Sequence, residues 1–172
     1  HEGLEFAIKF EAPVLFVCEN NLYAESTSSK YHLLHESTIG YVEPFGIKAI
    51  KVDGNDFVAV EAAAKECIDW IRKNKKPAFI ESMTYKLSGQ YEGDTETYKS
   101  AEEVEYWKSR DPLKSYKTRI LEVDSSVESL FEQFEKDNRE LIVNAFAKAS
   151  KDPFPTVEDM HNAVYFEGGA RA

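Results

Sequence analysis

Apolar positions along this chain follow two rhythms. Short continuous runs alternate with stretches in which apolar residues return every three to four positions. Residues 14–18, VLFVC, follow Pro13 as an unbroken run of strand length, the signature of a strand covered on both faces. Residues 47–52 alternate weakly and predict a second strand, and Pro77 opens a third run, AFIESMTYK. Between them the helical period takes over. Leu4, Ala7 and Ile8 make a weak helical face over residues 2–10, and residues 31–43 predict a short helix ending before Pro44 and Gly46. Residues 56–74 carry Phe57, Val60, Ala64, Cys67, Ile68 and Ile71 at 3.6-residue spacing. DGND ahead of that helix offers a turn and an N-cap, and the basic run at 72–76 suits its C-terminus through the macrodipole.

Helix and strand thus alternate three times in the first half. Right-handed crossovers between such elements build an α/β fold, a parallel sheet with helices on both faces. Ligands of such sheets sit at the C-terminal strand ends. The second half is helical. Ser100 with Glu103 gives a capping-box spacing ahead of residues 100–108, and Asp111-Pro112 starts another helix. Residues 125–149 place Val127, Leu130, Phe131, Phe134, Leu141, Ile142, Ala145, Phe146 and Ala149 on one helical face. The tail after that reads as irregular. The expected organisation is an α/β domain over residues 1–122 with a helical extension of the same domain over 123–172.

Composition narrows the chemistry. A length of 172 residues and 42% hydrophobic content suit a compact globular chain. A formal net charge of −10 argues against a surface that tracks nucleic-acid phosphates, while leaving room for a local pocket for one anion. Cys18 and Cys67 lie inside apolar patterns, which points to buried thiols in a reducing, cytoplasmic compartment. No run is apolar enough to predict a membrane span. The four histidines form no metal-ligand spacing, and there is no P-loop and no GxGxxG.

Candidate chemistry therefore gathers at the predicted strand ends. Asn20 and Asn21 close the first strand. They read either as a turn, since asparagine tolerates unusual backbone angles and bonds its own chain, or as part of a hard-cation site, since amide and carbonyl oxygens suit Mg²⁺. The loop SGQYEGDTETY after the third strand reads either as a solvent loop or as a mobile active-site loop on the same edge.

HEGLEFAIKFEAPVLFVCENNLYA resembles the diphosphate-binding segment of thiamine-diphosphate enzymes, and most closely the alpha subunit of the dehydrogenase component of 2-oxoacid and acetoin dehydrogenase complexes. The resemblance continues through VDGNDFVAV, PAFIESMTYK and GDTETYKSAEEVEYWKSRDPL. It implies the thiamine-diphosphate-binding fold, with thiamine diphosphate and Mg²⁺ as cofactors. It also implies a beta subunit supplying the pyrimidine half of the site in an α2β2 assembly, and a lipoyl-bearing acyltransferase as a further partner. In the family an Asp, the second Asn of an Asn-Asn pair and a carbonyl two residues later coordinate the metal. Carried over, these are Asn21 and the backbone oxygen of Tyr23, with Asn20 a turn residue beside them. Two departures stand out. No Gly-Asp-Gly precedes Asn20, which leads us to expect that the chain is part of a longer subunit. Gln90 stands where the family carries a histidine that contacts cofactor and assists lipoyl acylation. Glutamine donates and accepts hydrogen bonds but carries no proton at neutral pH. A non-catalytic scaffold or regulatory relative that keeps the fold is the alternative reading.

Overall fold

The computed structural model describes residues 1–164. Two compact units divide the chain, His1–Val123 and Asp124–Ala172.

The first unit is built on a three-stranded parallel sheet. β1 (Leu15–Asn20) and β4 (Lys48–Asp53) flank β5 (Ala78–Met83), in register from Leu15 and Lys48, both opposite Ala78, to Asn20 and Asp53, both opposite Met83. A two-stranded hairpin, β2 (Tyr23–Ala24) with β3 (Thr27–Ser28), stands beyond the end of β1. Strand side chains alternate between faces, so β5 divides its residues between two cores. Ala78 and Ile80 meet Ala63, Cys67 and Ile71 of α4 (Phe57–Asn74), with Leu15, Ile50 and Val52 packed alongside. Phe79 points the other way, toward Val42 and Ile47, with Leu4 and Ile8 of α1 (Glu2–Lys9) and Phe16, Cys18 and Ile39 around them. The sheet therefore has helices on both faces, as the alternation predicts.

α4 forms where its period lies, and the DGND segment behaves as expected. The Asp56 carboxylate caps the helix by accepting from the N–H groups of Val58 at 3.0 Å and Ala59 at 3.2 Å. Gly54 passes so close to β5 that an added Cβ would lie 2.9 Å from the Met83 carbonyl oxygen. α5 (Ala101–Ser109) starts at Ser100, whose hydroxyl accepts the Glu103 N–H at 3.1 Å, and α6 (Pro112–Val123) follows.

Two expectations are corrected. Residues 31–43 do not form one helix. They are broken into α2 (Ser29–His32) and α3 (Ile39–Val42), with irregular backbone between. The cause is Glu81. Its carboxylate takes the Thr38 N–H and the Ser37 hydroxyl in place of a helix carbonyl, so that α3 starts afresh from Thr38, φ −72° and ψ −15°, instead of continuing α2. The tail is not wholly irregular either. It contains α8 (Val157–Asn162), which begins with a capping box between Thr156 and Asp159. The spacing T-V-E-D was the available signal.

In the second unit α7 (Glu128–Ala149) follows a short 3₁₀ turn capped by Asp124. Leu130, Phe134, Leu141, Ile142 and Phe146 of its apolar side remain exposed.

Candidate functional site

The C-terminal edge of the sheet is where β1 and β5 release their chains, and the candidate residues gather there. β1 runs through Asn20, so the two adjacent asparagines separate at the strand end. Asn20 is buried on the Phe79 side, and Asn21 is half-buried in the turn that follows. Leu22 then adopts a left-handed conformation, φ +68°, which costs a non-glycine residue about 1–2 kcal/mol. Both amides hold that turn. Asn20 Oδ1 accepts the Leu22 N–H at 3.3 Å, and Asn21 Oδ1 accepts the Tyr23 N–H at 3.1 Å. Further bonds anchor it to its surroundings: Ser29 N to Leu22 O at 2.8 Å, Thr84 N to Asn20 O at 3.0 Å and Lys86 N to Asn21 O at 3.2 Å.

The turn reading of the asparagines is thus realised. It does not exhaust Asn21, because an amide oxygen accepts two hydrogen bonds and a single donor uses one lone pair. Asn20 is more than a turn residue. Its Nδ2 donates to Glu81 Oε1 at 2.8 Å and to the Glu36 carbonyl at 3.2 Å, so every polar atom of the side chain is occupied.

Glu81 was missed in the sequence reading. It is wholly buried, at 0% exposure, in the middle of the central strand. Burial opposes its charge, but the bonds from Ser37, Thr38 and Asn20 outweigh it and hold the carboxyl below its ordinary value. The available signal was a charged residue inside the otherwise apolar run AFIESM.

The loop after β5 meets the turn through Lys86. Its ammonium donates to the Glu25 carbonyl at 3.1 Å and to Gln90 Oε1. Gln90, itself exposed, is therefore tethered to the same edge as Asn21, as its loop position predicts. The loop is stitched internally by Asp94, which accepts from Gln90 N at 2.8 Å, Glu96 N at 3.0 Å and the Tyr98 hydroxyl at 2.8 Å. Those bonds keep the Asp94 carboxyl below its usual range, and the same carboxylate pushes Tyr98 up to about 12.

Tyr23 is clamped from behind. Its hydroxyl donates to the Glu103 carboxylate at 3.0 Å, and its ring lies edge-on to Tyr85 at 5.7 Å. Trp107 stacks parallel to Tyr85 at 5.3 Å and 4°. Burial, then the Glu103 carboxylate, raises the pKa of Tyr23, and the same two causes raise that of Tyr85. Lys99 occupies the space among Tyr23, Tyr85 and Tyr98, 5.9, 5.7 and 5.6 Å from the ring centroids. With 1% of its side chain exposed, it pairs with Glu96 at 2.6 Å and donates to the carbonyls of Ser88 at 3.1 Å and Leu87 at 3.4 Å. Lys99 was also missed, because both readings of the SGQYEGDTETY loop, solvent or mobile, leave the lysine that follows it exposed.

Among the described residues no group of three or more His, Cys, Asp or Glu could hold a metal ion, and no helix is long and apolar enough to cross a membrane.

Comparison with known proteins gives this edge its context. The chain is 36% identical over 167 residues to the alpha subunit of acetoin:2,6-dichlorophenolindophenol oxidoreductase from Bacillus subtilis, covering 96% of this chain and 49% of the relative. It is 29% identical over 165 residues to the alpha subunit of the pyruvate dehydrogenase E1 component of Rickettsia bellii, covering 96% and 51%. It is 31% identical over 167 residues to the mitochondrial 2-oxoisovalerate dehydrogenase subunit alpha 1 of Arabidopsis thaliana, covering 96% and 35%. The chain thus spans about half the length of the first two and about a third of the last. The sequence model of the dehydrogenase E1 component family matches residues 1–158, from α1 through the sheet, the Asn21 turn and the Lys99 loop into α8, and the chain belongs to that family.

Proposed function

We propose that this chain is the alpha-type part of a thiamine-diphosphate-dependent dehydrogenase acting on a 2-oxoacid or on acetoin, and that it supplies the diphosphate half of the cofactor site. The observation that supports this reading is the turn after β1. It puts the Asn21 amide oxygen and the Tyr23 backbone next to the Lys86–Gln90 tether, at the sheet edge where α/β folds bind ligands.

The residues fit Mg²⁺ in kind. Asn21 Oδ1 keeps a lone pair, and the Tyr23 carbonyl adds a second hard oxygen. They do not fill an octahedral shell, so the remaining positions fall to diphosphate oxygens, water and residues outside the described chain. When bound, thiamine diphosphate supplies the nucleophilic carbon and electron sink for cleaving a bond beside a carbonyl. This chain's own residues orient and neutralise. Asn21 and Tyr23 hold the metal end, and the Lys86 ammonium adds positive charge at the site mouth. Gln90 stands at the family's histidine position as a hydrogen-bonding group that does not transfer a proton.

The partners that follow are a beta subunit with the pyrimidine half in an α2β2 enzyme, and a lipoyl-bearing acyltransferase. The compartment that follows is the cytoplasm, in keeping with two free cysteines. A second reading, a non-catalytic relative, is favoured by one observation, the replacement of a proton-carrying residue by Gln90.

Calorimetry on the protein assembled with its beta partner tests the proposal. Thiamine diphosphate binds only with Mg²⁺, and Asn21→Ala weakens that binding. Equal affinity in the variant, or binding independent of Mg²⁺, overturns the assignment. Cofactor binding without turnover of any 2-oxoacid or acetoin selects the second reading.

A further inference from the structure

Glu81 presents a question that the cofactor reading leaves open. The Phe79 side of β5 is an apolar core, and an apolar residue at position 81 would complete it without burying a charge. A buried ionic group adds little stability over a well-packed apolar one. What the carboxylate does that a leucine cannot is fix the direction of its neighbours.

A carboxylate only accepts. Glu81 Oε1 takes the Thr38 N–H at 2.6 Å and Asn20 Nδ2 at 2.8 Å, and Oε2 takes the Ser37 hydroxyl. Because Glu81 cannot donate, the amide of Asn20 must present its NH₂ end to it. The other end, Oδ1, is then turned toward the Leu22 N–H. A reversed Asn20 amide would put oxygen against the Glu81 oxygen and NH₂ against the Leu22 N–H, unfavourable at both ends. The buried charge, together with the Glu36 carbonyl that accepts from the same Nδ2 at 3.2 Å, thus selects one of two amide orientations, and that orientation supports the left-handed backbone at Leu22. Leu22 lies between the two residues whose oxygens face the proposed cation.

We propose that Glu81 and Asn20 are positioning residues for the Asn21–Tyr23 turn. The acceptor-only carboxylate orients the Asn20 amide, and the amide holds the turn in the shape that presents the Asn21 and Tyr23 oxygens. The role assigned to those oxygens rests on the cofactor reading above. The orientation mechanism itself does not.

The test is amide hydrogen exchange in the full chain, with Mg²⁺ affinity in the presence of thiamine diphosphate read in parallel on the protein assembled with its beta partner. Glu81→Gln keeps size and replaces the charged acceptor at Asn20 Nδ2 by a neutral one, which weakens that bond and leaves the Glu36 carbonyl to hold the amide alone. Exchange at Leu22 and Tyr23 should quicken about tenfold, while Cys67 and Ile71 in α4 stay unchanged. Asn20→Ser, which leaves Glu81 with Ser37 and Thr38, guards against failure of Glu81→Gln to fold. It should loosen Leu22 and spare Thr38.

Unchanged exchange at Leu22 in Glu81→Gln or Asn20→Ser overturns the proposal. So does loosening that only matches Cys67 and Ile71. Mg²⁺ affinity should fall about tenfold with Glu81→Gln. A loosened turn with unaltered Mg²⁺ affinity overturns the positioning role. If the unaltered protein binds no Mg²⁺–thiamine diphosphate, the cofactor reading falls, and the exchange pattern still decides the orientation mechanism.

Discussion

Replacing Lys99 by methionine removes an ammonium from the centre of the aromatic cluster and keeps the stem that fills it. Three contributions are lost. Bonds from a charged donor to Ser88 O, at 3.1 Å, and to Glu96, at 2.6 Å, are worth roughly 1.5–3 kcal/mol each before desolvation is counted. Three rings within 6 Å add roughly 0.5–2 kcal/mol. Against them stands the cost of keeping an ammonium at 1% exposure, which the variant no longer bears. Breaking a buried pair costs roughly 3–5 kcal/mol when the abandoned partner stays buried. Glu96 is 33% exposed and can turn to water, so the net loss falls lower, at about 2 kcal/mol. Urea unfolding followed by Trp107 fluorescence measures it, since that indole stacks on Tyr85 beside the ammonium. Limited proteolysis should show faster cleavage between 88 and 92, where the carbonyl anchors are lost. A stability change below about 0.5 kcal/mol, with unaltered cleavage, would refute the view that Lys99 fastens the loop to the Tyr23 hairpin.

Two further predictions concern the same edge. On the proposed function, Gln90→His should raise acylation of a lipoyl group by about 10²-fold or more in single-turnover assays of the assembled enzyme, because it supplies a group able to carry a proton; an unchanged rate removes Gln90 as the limiting difference from the family pattern that the sequence resembles. Glu81 should shape acid stability. Its carboxyl lies below the ordinary value of 4.5, so its contribution is complete above about that pH and is lost as pH falls through the lower folded value. An acid titration followed by circular dichroism should therefore be steeper for the unaltered chain than for Glu81→Gln in that window, and parallel curves would refute it.

What the sequence disclosed and what it hid divide along a physical line. α4 was legible because its pattern is local: one face of apolar residues, an aspartate cap and a basic end all lie within the helix or beside it. The strands were legible because burial on two faces leaves continuous apolar runs. Lys99 was not, since beyond its neighbour Tyr98 its burial arises from Tyr23 and Tyr85, which no short window of sequence brings to it. The break at residues 33–38 was hidden for the same reason. The helical pattern there is real, but Glu81, more than forty positions away, offers Thr38 N and the Ser37 hydroxyl a stronger acceptor than a helix carbonyl does.

The paired asparagines show how far strand geometry alone carries such a distinction. In a strand, neighbours face opposite ways. Phe16, Cys18 and Asn20 share one side of β1, and that side meets the core containing Phe79 and the buried Glu81. Once β1 is known to run through position 20, Asn20 must enter that core and find partners for its amide, and Asn21 must leave the ladder. The sequence placed the strand end at 18, two residues early, which left both asparagines in the turn and made Asn20 look dispensable. A strand that ends at 18 gives Asn20 no reason to meet Glu81. A strand that ends at 20 brings its amide to Glu81, where it joins Ser37 and Thr38 in bonding the buried carboxylate.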